Sequence, residues 1–238
     1  MKRFTLMNRL LFSIMAFLAC AGLSAQEKPG TFSVVPRVGV TVADLTHFDW
    51  AKDVPLVDHQ GSLSSRFKAG AVAGAQVDYQ VTDVVSASAG VNYALLGTRY
   101  PDFMVDNGDG TAEGVADMHM DLHYLQVPLL LNAYVLQGLA LKAGVQVGFL
   151  LDARMKTDVT PVTIDAETGA KTYGETMDSN AKWEDMKTID LSIPVGLSYE
   201  FEQVVLDARY NLGLTKVCEG FDWRNSYFTF TVGYRFEL

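Results

Sequence analysis

Over residues 227–238 every second position is apolar: Phe228, Phe230, Val232, Tyr234, Phe236 and Leu238. The intervening Tyr227, Thr229, Thr231, Gly233, Arg235 and Glu237 include two charges and a glycine. A period of two sends alternate side chains to opposite faces of a strand, so this stretch predicts a strand with one wholly apolar face. The pattern recurs. Over 32–44, Val34, Val38, Val40 and Val42 oppose Ser33, Arg37, Gly39 and Thr41. Pro36 lies on the apolar side, and its missing N–H predicts a strand start or a local break. Over 67–79, Phe67, Ala69, Ala71, Ala73, Ala75, Val77 and Tyr79 oppose Lys68, Gly70, Gly74, Gln76 and Asp78. Further strands follow over 85–95, 124–135, 139–154, 189–201 and 204–214, each with one apolar face.

The connections alternate in length. Those at 80–83, 136–138 and 202–203 are short. Residues 46–62, 98–118 and 156–187 lose the alternation, gather Asp, Gly and Pro, and predict long loops; a shorter fourth loop lies around 218–224. Eight strands with long connections at one end and tight turns at the other predict an all-β, eight-stranded antiparallel up-and-down transmembrane β-barrel. Each strand exceeds the ~9–11 residues that cross a bilayer at a tilt. A sheet in hydrocarbon must close, because an open edge leaves amides unpaired. Tyr79, Tyr93, Tyr199, Phe201, Tyr234 and Phe236 fall near strand ends, where aromatic girdles sit.

The start of the chain bears on location. Lys2, Arg3 and Arg9 precede an apolar run over 10–23, and Leu23-Ser24-Ala25 closes it. This predicts a signal peptide over 1–25 and an outer-membrane β-barrel domain over 26–238. A lipid-modification motif around Cys20 is the competing reading, weakened by Phe17 where leucine is usual. Losing those three basic residues takes the net charge from −9 to −12. That balance argues against nucleic-acid binding. Only Cys218 remains, which excludes an intramolecular disulfide.

The polar faces collect charges of both signs: Arg37, Lys68, Asp78, Lys142, Asp152, Arg154, Asp190, Glu200, Asp207, Arg209, Arg235 and Glu237. A soluble eight-stranded barrel with an apolar lumen would turn these outward. A membrane barrel turns them inward, and eight strands leave room for side chains only. These residues therefore predict a paired network plugging a polar lumen, with interior glycines making room for the long cations.

Tyr124-Leu125-Gln126-Val127-Pro128-Leu129-Leu130-Leu131 resembles a strand of the Bacteroidetes outer-membrane β-barrel family that includes the PorT-like proteins. The resemblance continues through Pro194-Val195-Gly196-Leu197-Ser198-Tyr199 and Leu206-Asp207-Ala208-Arg209-Tyr210-Asn211-Leu212-Gly213-Leu214-Thr215 to Val232-Gly233-Tyr234-Arg235-Phe236. It implies the cell outer membrane, insertion by the barrel assembly machinery and eight strands. It implies little about activity; one namesake is tied to protein secretion. Tyr234, Phe236 and Leu238 keep the outward phase and form the expected assembly signal, although Glu237-Leu238 extend past the family's usual end.

Chemistry is sparse. His119 and His123 stand four apart, interleaved with Asp117 and Asp121. On a strand that separates them by about 13 Å, too far for one metal. Asp106-Asn107-Gly108-Asp109-Gly110 lacks the ligand spacing of a calcium loop and reads as a hairpin tip. No strand histidine neighbours a serine, so no hydrolase constellation is visible. The expectation is a protein with no catalytic residue, cofactor or metal, acting as a structural and interaction protein through long extracellular loops. Its partners would be outer-membrane lipids and extracellular or secretion-system proteins. The alternatives are an accessory of outer-membrane secretion, a small channel and a lipid-modifying enzyme.

Overall fold

The computed structural model describes residues 28–46, 56–57 and 64–238. The predicted leader, Cys20 and most of 46–62, with His47 and His59, lie outside them. The strands are β1 (Phe32–Thr46), β2 (Arg66–Thr82), β3 (Val85–Arg99), β4 (Phe103–Asp106), β5 (Thr111–Leu136), β6 (Leu139–Ile164), β7 (Lys171–Tyr173), β8 (Met177–Lys182), β9 (Ile189–Phe201), β10 (Val204–Gly213), β11 (Arg224–Tyr234) and β12 (Phe236–Glu237). All pair antiparallel. The ladder runs β5-β3-β2-β1-β11-β10-β9-β6, and β6 also pairs β5. Eight strands thus close a barrel, with β12 continuing β11 along β1.

The alternation decides which face goes where. Val38, Leu131 and Phe201 are each 64% exposed on the outer wall, among many outward Val, Leu, Ile and Phe side chains. Arg37 and Asn132 beside the first two, and Ser198 on the opposite phase of the same strand as Phe201, are buried inside. A continuous apolar exterior over a polar interior is what a barrel in lipid requires. Tyr79, Tyr199, Phe201, Tyr234 and Phe236 face out near the short-turn end, and Tyr93 faces out near the other.

Pro36 sits inside β1 opposite Ala75 of β2. On the other side, β1 pairs β11 from Arg37↔Gly233 and β12 at Val34↔Phe236. The register is the same on both sides of the gap, and the absent proline N–H falls within it. The local break expected from Pro36 therefore divides β11 from β12.

Two predicted loops contain strands. β5 and β6 each run 26 residues, well past the apolar belt. They pair as far as Thr111↔Thr163, and β4, β7 and β8 add to them. Residues 98–118 and 156–187 therefore build a raised sheet beyond the membrane. It is partly wetted and partly packed, with Ala112, Met118 and Val162 buried, so no regular apolar alternation marks it.

Candidate functional site

The barrel interior is the site that the fold assembles. Asp207 on β10 accepts from Lys142 Nζ of β6 at 2.7 Å and from Arg209 Nε at 2.5 Å. Gly196 of β9 lies between Lys142 and Arg209 in the register. A Cβ on Gly196 would stand 2.7 Å from Arg209 Cγ, so the glycine makes room for the guanidinium arm. Toward the short-turn end, Arg235 reaches three strands. Its Nε is 2.9 Å from each oxygen of Glu200, and its Nη1 is 3.1 Å from Asp78 Oδ2 and donates to Ser33 Oγ at 2.5 Å. Gln76 also donates to Asp78. Arg37 donates from Nε to Asn92 Oδ1 at 3.1 Å, while its Nη2 has no protein partner. Two cavities of about 10 Å³ flank Arg37, one toward Arg209 and Asn92, the other toward Lys142 and Asp207. Each has room for about one water.

Above this layer the hydrogen bonding is neutral. Tyr227 Oη accepts from Gln126 Nε2 at 2.8 Å and Gln146 Nε2 at 2.6 Å. Asn225 Nδ2 donates to Tyr124 Oη at 3.2 Å. Higher still the inward face turns apolar: Leu45, Leu96, Met120, Leu122, Val217, Trp223 and the Tyr124 and Tyr227 rings form one buried cluster, with Leu150, Met155 and Trp183 against it. Trp183 and Trp223 meet edge to face at 6.2 Å.

Two residues depart from the parity prediction, and two more keep its phase without joining the ionic network. Asp152 and Arg154 face outward. The β5–β6 register runs from Tyr124↔Leu150 to His123↔Asp152, so Leu151 is an extra residue. This bulge reverses the phase of β6 above it. Leu150 packs on the core and Ala153 is buried, while Arg154 is exposed and bonded to Asp152 at 2.7 Å. Glu237 keeps the inward phase opposite Ser33 but lies at the open rim, exposed. Asp190 is buried without a cation among the described residues; Thr215 Oγ1 donates to it at 3.1 Å. Lys68 does form a pair, with Asp121 at 2.7 Å, and Lys156 joins that carboxylate at 3.0 Å. Asp121 escaped the sequence reading because it precedes the first clear alternation at Tyr124.

The family model for an outer membrane protein beta-barrel domain matches residues 24–219. The chain belongs to this family. The protein resides in the outer membrane. No curated protein matches it. Among solved structures it is similar to Ail, the attachment invasion locus protein of Yersinia pestis, in complex with the heparin analogue sucrose octasulfate: 14% identity over 87% of this chain and 99% of that one, TM-score 0.41. Neisserial surface protein A shares 15% identity over 86% and 97%, TM-score 0.42. The outer membrane protease OmpT of Escherichia coli shares 11% over 88% and 97%, TM-score 0.39.

The remaining candidates lie on the outside of this barrel. Tyr234, Phe236 and Leu238 point outward along the end of the wall. His123 Nδ1 meets Tyr93 Oη at 2.5 Å, and His119 Nδ1 meets the Asp117 carbonyl at 2.7 Å. The two histidines have separate partners. Asp106–Gly110 forms the β4–β5 tip, with Gly108 and Gly110 at positive φ. There Asp109 Oδ1 accepts from Thr111 N and Oγ1, which holds its carboxyl below the usual range.

Proposed function

We propose that this outer-membrane barrel is a non-enzymatic structural and interaction protein with a plugged lumen, working through the raised sheet and loops at its long-connection end. The observation that carries the reading is the interior. Lys142 and Arg209 are tied to Asp207, and Arg235 to Asp78 and Glu200, in two clusters across the lumen, and the cavities beside them are about 10 Å³. A buried ionic layer topped by apolar side chains supports a scaffold over a conduit. An even number of strands returns both termini to one side, which supports the periplasm for the short turns and the cell exterior for the raised sheet. The test is complementation of a deletion strain. The full chain restores the strain's surface phenotype, and a chain with 157–181 replaced by a tight turn inserts but does not. Equal restoration by both overturns the reading. Lipid A mass spectra that change on deletion would instead favour a lipid-modifying enzyme.

The secretion reading rests on the PorT-like motifs. Tyr124, Pro128 and Arg209 of those motifs are buried within the barrel. They support a shared way of filling a barrel more than a shared surface. Loss of secreted proteins from the deletion strain's medium would favour the secretion role.

A further inference from the structure

Cations gather on the outer wall above the apolar belt. Arg66 of β2 stands opposite Arg99 of β3, Arg99 opposite His119 of β5, and His119 opposite Lys156 of β6. One rung nearer the belt, Arg154 stands opposite Lys182 of β8. Met120, Leu122 and Ala153 alternate with these residues and are buried in the core, which puts His119, Arg154 and Lys156 on the outside. Three carboxylates lie among them: Asp121 is bonded to Lys68 and Lys156, Asp152 to Arg154, and Asp117 stands 3.4 Å from His119 Nδ1. Arg66, Arg99 and Lys182 have no ion-pair partner among the described residues. Like charges directly opposite each other destabilise a ladder. Here they recur across neighbouring strands of a chain whose net charge is −9.

The height of this patch selects the ligand. The outward Tyr93 and His123 meet where the apolar exterior ends, and Leu125 and Leu151 are outward below and beside them. The basic rungs begin about two residues higher, roughly 7 Å along the strand. That is headgroup depth, where anionic lipid attracts cations. In the middle of the lower rung Gly97 pairs with Asp121 at φ +132 and packs against the Met120 carbonyl, so β3 and β5 approach closely beside Arg99.

We propose that this face binds the phosphates of a phosphorylated glycolipid in the leaflet at the raised-sheet end. Arg66, Arg99 and Lys182 contact the phosphate, and the acyl chains lie on the wall below Tyr93. The placement in the outer leaflet rests on the orientation proposed above. The ligand is tested with the full chain in zwitterionic detergent and diphosphorylated lipid A as probe. Lipid A raises the unfolding temperature of the parent, and the R66Q/R99Q/K182Q variant binds it at least about tenfold more weakly. Unshifted unfolding of that variant without lipid establishes that it folds, and a K187Q/K216Q variant, altered elsewhere on the rim, binds as the parent does. Equal binding by the R66Q/R99Q/K182Q variant or by dephosphorylated lipid A overturns the proposal. So does equal stabilisation by inorganic phosphate, which would mean an adventitious ion only. Orientation has a separate readout: Asp109→Cys at the hairpin tip reacts with an impermeant maleimide on intact cells. Absent labelling with lipid binding intact overturns the orientation and leaves the phosphate site standing.

Discussion

Lys142 and Asp207 meet at 2.7 Å across a strand that neither belongs to. β9 lies between them, and Gly196 is what it presents at that level. Both charged side chains are almost wholly buried, and Arg209 holds the other carboxylate oxygen. The barrel interior is therefore tied between non-adjacent strands as well as along its ladders.

Removing Asp207 leaves two buried cations without their anion. Asp207→Ala is expected to destabilise the barrel by about 3–5 kcal/mol, the usual cost of breaking a buried pair from one side. The midpoint of urea unfolding in detergent, followed by the boiling-dependent gel shift, measures it. Asp152→Ala is the matched control. Its carboxylate lies outside the lumen on an exposed arginine, and the midpoint is expected to stay in place.

Gly196→Ala tests the space that the glycine supplies. The added Cβ would stand 2.2 Å from the Ala208 carbonyl oxygen and 2.8 Å from Arg209 Cα, both backbone atoms. A loss of about 1–3 kcal/mol is expected. An unchanged unfolding midpoint would show that the β9–β10 pair yields more readily than its geometry indicates.

Tyr227→Phe removes an acceptor shared by Gln126 and Gln146. Both amides then remain buried beside a ring edge. The expected cost is about 1–3 kcal/mol, the penalty for an unsatisfied buried donor, with the fold retained. The same urea titration reads it.

Cys218 sits in the apolar cluster outside the membrane-spanning wall. Burial, and secondarily the charge of Asp185, push its thiol pKa up. The thiolate is thus disfavoured in the folded state. The thiol's contribution to stability is fully present below the unfolded value of about 8.5 and is lost as pH rises through the higher folded value. Maleimide labelling at pH 7 should be slow in the native barrel and fast in urea, and native labelling should accelerate at alkaline pH. Fast native labelling at pH 7 would contradict a packed cap.

The eight wall strands were legible because lipid imposes apolar residues on one face with a strict period. Leu125, Val127, Leu129 and Leu131 announce β5 unaided. The raised sheet was not legible, because Thr111–Met120 is wetted or packed without that constraint. Of the interior charges, Arg37, Asp78, Lys142, Asp207, Arg209 and Arg235 lie inside as parity predicts. Asp152 and Arg154 do not, because one extra residue at Leu151 reverses the phase and no single residue type marks a bulge. The apolar cluster was hidden too: Leu96 and Leu150 lie beside apolar Leu95 and Leu151, so their inward turn leaves no alternation to read.

The central claim is a closed barrel whose interior is filled and tied. Single-channel recording of the purified protein in planar bilayers tests it most directly. The account predicts no steady unitary current at any holding potential that the bilayer withstands. Reproducible unitary conductance steps would contradict it.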